Sequence, residues 1–182
     1  MARVLVPLAD GCEELEAVTI IDLLRRAGVD VVTAGLGEGP VTASRGVVLL
    51  PDRTLDDVLG EDFDMIVLPG GLPGADRLDR DPRIHHLLQQ MAERGRYTAA
   101  ICAAPKVLLN AGLLDGRKAT AYPGVIDARD AQLLDQPVVV DGHVVTSRGP
   151  GTAMEFALEL IEQLLGRGER DAVESRLVRA AG

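Results

Sequence analysis

Four short apolar runs most constrain how this chain can fold: Val4–Leu8, Val29–Ala34, Phe63–Leu68 and Tyr97–Ile101. Each has the length and Val/Ile richness of a buried strand, and stretches of helical periodicity lie between them. Parallel strands need a helical crossover, so this alternation predicts a doubly wound α/β sandwich around a mostly parallel sheet. The first unit is the clearest. Val4–Leu8 leads through the turn Ala9-Asp10-Gly11 into a helix from about Glu13 to Arg26, which Ala27-Gly28 stops before Val29–Ala34 begins. Further along, the pattern predicts short strands at Val41–Ala43 and Gly46–Leu50, a helical turn at Leu55–Leu59 and a loop over Pro69–Gly74. Helices follow from Pro82 to near Gly95 and over Ala103–Leu109, then a strand at Lys118–Tyr122. A hairpin of Pro137–Val140 and His143–Thr146 turns about Asp141-Gly142, and helices over Thr152–Leu165 and Glu169–Ala180 close the chain. Neither a linker nor an internal repeat interrupts this order, so residues 1–182 are expected to form one domain.

Composition excludes several classes of function. With 19 Lys+Arg against 28 Asp+Glu the net charge is −9, which opposes sequence-independent binding to nucleic acid or to an anionic membrane. Two Phe, two Tyr and no Trp leave little with which to stack bases. The N-terminal run meets Asp10 and an acidic cluster too early for a signal peptide, and no uncharged run is long enough for a membrane span. Cys12 and Cys102 show neither CxxC spacing nor a disulfide pattern, so a cytoplasmic location is expected. The scattered histidines and cysteines write no local metal site.

In an open parallel sheet, ligands bind beyond the carboxyl ends of the strands. Three such ends stand out: the Gly11–Glu16 turn, the Pro69–Gly74 loop and Cys102. In Ala99-Ala100-Ile101-Cys102-Ala103-Ala104-Pro105 a strand meets a helix at one residue, alanines relieve the crowding, and Pro105 suits a first helical turn. This is the build of a nucleophile elbow, and a helix N-terminus at Cys102 predicts a thiol more acidic than usual. A free cysteine is otherwise a small buried apolar residue, the competing account of Cys102. Pro69-Gly70-Gly71 turns backbone N–H groups toward an oxyanion or simply makes a tight loop. Glu13, Glu14 and Glu16 favour the helix dipole, and one of them can reach the cysteine; spacing does not choose among them. His85, His86 and His143 lie on helical or hairpin surfaces, which gives no support to a Cys-His pair. Cys12 is either loop filler or a thiol that resolves oxidised Cys102. The first helix has Leu15, Val18, Ile20, Ile21, Leu23 and Leu24 around most of its circumference, which predicts two partners, the sheet and a second subunit.

Four motifs in order, Gly11-Cys-Glu-Glu-Leu-Glu-Ala, Leu68-Pro-Gly-Gly, Ala100-Ile-Cys-Ala-Ala-Pro and Thr146-Ser-Arg-Gly-Pro-Gly-Thr, resemble the ThiJ/PfpI superfamily. Within it they resemble the branch of DJ-1 and YajL, over nearly the entire chain and including Arg25-Arg-Ala-Gly and Ala43-Ser-Arg. The resemblance implies a flavodoxin-like sandwich, a homodimer through the first helix and a cofactor-free site on Cys102. It implies that Glu16 is held protonated against the sulfur, since two negative charges there would repel. It further implies an oxyanion pocket from the N–H groups of Gly71 and Ala103, pocket residues Glu13 and Pro150, and Arg26 and Arg45 brought near the site from the partner. Two positions depart from the human member: Tyr122 stands where it has histidine and Leu72 where it has asparagine, both facing substrate by the resemblance. Ala103 rather than histidine after the cysteine argues against the peptidase branch, and the missing His-Pro-Glu pairing argues against an amidotransferase. The activity implied is of glyoxalase or deglycase type, on methylglyoxal, glyoxal or their early adducts. The alternative is a non-enzymatic oxidative-stress sensor or redox-regulated chaperone with unfolded-protein clients.

Overall fold

The computed structural model describes residues 1–179. A seven-stranded sheet is built from β1 (Arg3–Leu8), β2 (Asp30–Gly35), β5 (Arg53–Thr54), β6 (Met65–Leu68), β7 (Tyr97–Ile101), β10 (Val138–Asp141) and β11 (Val144–Ser147). Its order is β10-β11-β7-β6-β1-β2-β5, parallel throughout except for the β10–β11 hairpin. Two small ribbons lie apart from it, β3 (Val41–Thr42) with β4 (Val48–Leu49), and β8 (Lys118–Ala119) with β9 (Gln132–Leu133).

α1 (Glu14–Arg26) and α6 (Ala153–Leu165) pack on each other and on the sheet, with α7 (Arg167–Ser175) behind α6. α2 (Leu55–Val58) sits beside β2 and β5. α3 (Leu72–Arg80), α4 (Pro82–Glu93) and α5 (Pro105–Asn110) form a second group, in which α4 and α5 rest on β7. The core runs through the central strands: Val4, Val6, Met65, Val67, Leu68, Ala99, Ala100 and Ile101 are closed to solvent, as is Phe156 of α6. Burial of each large aliphatic side chain contributes about 1.5–3 kcal/mol.

The doubly wound, mostly parallel, flavodoxin-like sandwich is present, and most elements start and stop near their predicted bounds. Five details differ. Pro69–Gly74 is a loop only to Gly71: α3 begins at Leu72 and takes in Pro73 and Gly74. The helix after Cys102 begins at Pro105, not Ala103. Lys118–Tyr122 forms only a two-residue strand, outside the main sheet. The hairpin pairs Asp141 with Val144, so its two turn residues are Gly142 and His143. The last helix ends at Ser175, and the predicted end at Ala180 lies outside the described residues.

Candidate functional site

The chain runs outward from β1 to β2 and then returns to lay β6 on the other side of β1, so the topology switches between β1 and β6. The loops that leave β1, β6 and β7 therefore open together at the carboxyl edge, where such folds hold ligands. They carry Glu13–Glu16, Gly70–Leu72 and Cys102.

Cys102 is in the left-handed region, with φ 64°. A non-glycine residue there is strained and persists only where its surroundings fix it. Here its N–H donates to Ser147 O at 3.0 Å and its carbonyl accepts from Tyr122 N–H at 2.9 Å, so neighbouring segments hold the elbow on both sides. The β11 side is itself braced. Ser147 Oγ donates to Pro137 O at 2.8 Å and lies 2.7 Å from Thr152 Oγ1, and Thr152 Oγ1 accepts from Gly149 N–H. The resulting short helical turn at Pro150–Thr152 presents half-buried Pro150.

Glu16 lies one turn into α1 and is closed to solvent. Its Oε2 accepts from Gly70 N–H at 2.8 Å, while Oε1 has no partner. A carboxylate buried with so little compensation is disfavoured, and burial pushes its pKa up to about 7. Gly70 is required by closeness: a Cβ there would fall 2.6 Å from both Cys102 Cβ and Glu16 Oε2. The Cys102 sulfur meets the N–H groups of Gly71 and Ala103 and the Glu16 carboxyl. Gly71 has φ 82°, and a Cβ on it would strike Gly11 O at 2.4 Å, so only glycine aims that N–H.

The expectation of an unusually acidic thiol is overturned. Burial and the charge of Glu16 push Cys102 up to about 12, against the two N–H donors. The helix behind it is a six-residue segment that starts three positions later, too short and too far to reverse this. The two groups titrate as a pair, whose first proton leaves near 7 and whose second is held to high pH.

Glu13 caps α1, and its N–H donates to Gly70 O at 2.9 Å. Leu72, the first residue of α3, and Tyr122 are both more than half exposed, at 59 % and 52 %. The Tyr122 ring lies against Gly149. The arginines are not gathered in the same way. Arg26 is paired with Asp22 at 2.7 Å, and α-helical rise puts it about 15 Å along α1 from Glu16. Arg45 is exposed on the β3–β4 turn, where its backbone N–H donates to Glu14. Gly70, expected to donate toward an oxyanion, instead gives its N–H to Glu16. Two contributors escaped the reading of the sequence: Ser147, and Ser44, whose hydroxyl lies 2.9 Å from both Glu13 and Glu14. Both lie in motifs already noted, Thr146-Ser-Arg and Ala43-Ser-Arg, but their partners are distant in sequence.

A cavity of about 510 Å³ lies at the other end of the sheet, lined by Asp64, Arg96, Tyr97 and Gln163 among others. No Cys, Ser, Thr, His or Lys of the described residues lines it. Among the described residues no His, Cys, Asp and Glu side chains are grouped to hold a metal ion, and no helix is long and apolar enough to cross a membrane.

The model of the DJ-1/PfpI family matches residues 2–163. Protein DJ-1 homolog B of Arabidopsis thaliana is 46% identical over 168 residues, which cover 91% of this chain. The chain spans only 38% of that protein's length and 46% of its homolog A. Glutathione-independent glyoxalase DJR-1.2 of Caenorhabditis elegans is 40% identical over 91% of this chain and 89% of its own. Among solved structures, Drosophila melanogaster DJ-1beta superposes with a TM-score of 0.94 at 41% identity, over 99% of both chains. Oxidized Toxoplasma gondii DJ-1 gives the same score and identity over the whole of both.

Proposed function

The chain belongs to the DJ-1/PfpI family, and from that membership and the site we propose that it is a cofactor-independent cysteine enzyme acting on methylglyoxal, glyoxal or their early adducts. One observation carries the reading: a strained Cys102 whose sulfur meets two backbone N–H groups and a buried carboxyl that gives up its proton near neutral pH. A relative of similar length bears the name glutathione-independent glyoxalase.

In this mechanism the Cys102 sulfur attacks the aldehyde carbon of methylglyoxal, forming a C–S bond. The electron pair of the C=O moves to oxygen, and Glu16 mediates transfer of the thiol proton to it, giving a hemithioacetal. The N–H groups of Gly71 and Ala103 stabilise negative charge on sulfur and on the neighbouring oxygen as that bond forms. Glu16 as carboxylate then takes the C–H proton of the former aldehyde carbon, giving an enediolate, and returns it to the adjacent carbonyl carbon. The proton of the hemithioacetal hydroxyl passes to the oxygen of that second carbon, and the first carbon becomes the new C=O. This leaves a lactoyl thioester, which water cleaves to lactate and the free thiol. The sum is methylglyoxal plus water to lactate, with no external oxidant or reductant. Glyoxal gives glycolate by the same steps. The test is lactate formation followed by NMR, with free aldehyde scavenged as a control. Wild type should form lactate and Cys102→Ser should not; equal rates remove the catalytic reading.

A second reading rests on the same sulfur. The Glu16 carboxyl can donate to a sulfinate on Cys102, and one similar structure is of an oxidized protein. In that reading the chain reports peroxide, and mass spectrometry after graded peroxide should find Cys102 oxidised before Cys12.

The proposal includes a second copy of the chain. Leu15 and Val18 of α1 are about half exposed, and Val47, Val48 and Leu50 of the β3–β4 ribbon lie open as well. Between them runs a groove of about 270 Å³ lined by Val18, Ile21, Asp22, Arg25, Leu49 and Leu50. Two-fold pairing of α1 runs the helices antiparallel, so that the Arg26 end of one copy lies toward the Glu13 end of the other. Arg26, too far along its own helix, is thereby brought toward a neighbouring site. Light scattering should give twice the 19.3 kDa chain mass, falling to one chain in Val18→Asp.

A further inference from the structure

Ser44 closes the turn between β3 and β4, and its Oγ lies 2.9 Å from Glu13 Oε2 and 2.9 Å from Glu14 Oε2. A hydroxyl carries one proton, so it donates to one of two ionised carboxylates and not both. Glu14 has other donors: its Oε1 accepts from Arg45 N–H at 2.8 Å and Val47 N–H at 3.4 Å. Those bonds hold the Glu14 carboxyl below its ordinary range although burial opposes ionisation. The Glu13 carboxyl has Ser44 as its side-chain partner among the described residues. Ser44 itself is anchored, since its N–H donates to Cys12 O at 2.8 Å.

We propose that Ser44 is a positioning residue of the Cys102 site: its hydroxyl holds the carboxyl of Glu13, whose own N–H is tied to the carbonyl of Gly70, the residue whose N–H bonds Glu16. This rests on the Cys102–Glu16 pairing and not on any particular substrate. Glu13 adds repulsion that makes ionised Glu16 less favourable, so the hold on Glu13 sets the pH at which the buried pair first loses a proton. Charged or titratable groups around Glu13 come from every neighbouring segment. They are Glu14 and Glu16 on α1, Asp10 and Cys12 in the turn before it, Arg45 on the ribbon, Cys102 at the elbow, and Arg77 of α3, which donates to Asp10 O. None of these hydrogen-bonds the Glu13 carboxyl among the described residues; Ser44 does.

The test is the pH profile of Cys102 alkylation by iodoacetamide, read peptide by peptide with Cys12 as internal control, together with thermal melting. Wild type should show an inflection near 7, where Glu16 releases its proton. Ser44→Ala lets Glu13 swing into solvent and should move that inflection down by about half a pH unit, while Ser44→Thr restores it. An unmoved inflection in Ser44→Ala, or no restoration by Ser44→Thr, overturns the role and leaves Ser44 a structural residue of the ribbon. Should Ser44→Ala fail to fold, Glu13→Gln keeps an acceptor for Ser44 and removes the charge. It should give the same downward shift, and its absence equally overturns the role. A wild-type profile with no inflection would remove the Cys102–Glu16 coupling itself, and with it the mechanism above.

Discussion

Cys102 and Cys12 both sit, buried, in turns at the carboxyl edge of the sheet, and both thiols are pushed up, to about 12 and about 11 respectively. Acidity does not separate them: burial pushes both thiols up. What differs is what waits for the anion. Cys102 is 8 % exposed, has a strained backbone, and faces the N–H groups of Gly71 and Ala103 and a carboxyl that shares its proton. Cys12 is 1 % exposed and wedged under α3, where a Cβ on Gly74 would lie 2.6 Å from the Cys12 Cα. The N–H groups of Ala9 and of Cys12 itself favour a Cys12 thiolate as well, but its charged neighbours Glu14 and Asp10 only repel one. What sets the Cys102 thiol apart is therefore its strained, more open position and the carboxyl that shares its proton.

The largest expected contrast is in turnover. Cys102→Ser should lower lactate formation by about three orders of magnitude or more, whereas Cys12→Ser should stay within about twofold. A comparable loss in both variants would erase the distinction. Next is the pH dependence of folding. Glu16 has a folded pKa of about 7 against about 4.3 unfolded, so the folded state binds more protons between those values. Stability is full below pH 4 and falls as pH rises to about 7, by on the order of 3 kcal/mol. Glu16→Gln should remove that fall, giving a more stable protein than wild type at pH 8 and an equal one at pH 4 in urea titrations. An unchanged profile would mean that the carboxyl is not the buried acid described. Smaller again, Gly70→Ala and Gly74→Ala should each destabilise by about 1–3 kcal/mol through overpacking. Only Gly70→Ala should slow alkylation of Cys102. If Gly74→Ala slows it equally, the two turns are mechanically one unit.

Much of this architecture was legible in the chain because the signals were local. The apolar runs that became β1, β6 and β7 have no other way to be buried, and the alanines around Cys102 marked the elbow. α3 was hidden because Pro73 and Gly74 read as breakers. Yet a proline in the first turn has no helical N–H to lose, and Gly74 is there because Cys12 packs against it. The thiol was misjudged because a helix terminus is visible in sequence, whereas burial by residues from three loops is not. Ser44 was missed for the same reason: its partners lie 31 and 30 positions away. The two-residue strands β5 and β9 carry too few residues for any periodicity to show.

The left-handed backbone at Cys102 also has a consequence for engineering. A side chain at that φ is disfavoured by about 1–2 kcal/mol, a penalty glycine avoids and asparagine softens. Selection for thermal robustness alone would therefore drift toward losing the thiol, and a screen that ignores turnover should recover substitutions at this position among its gains. Stability and chemistry pull this one residue in opposite directions, so any hardened version of the scaffold must find its improvement elsewhere in the chain.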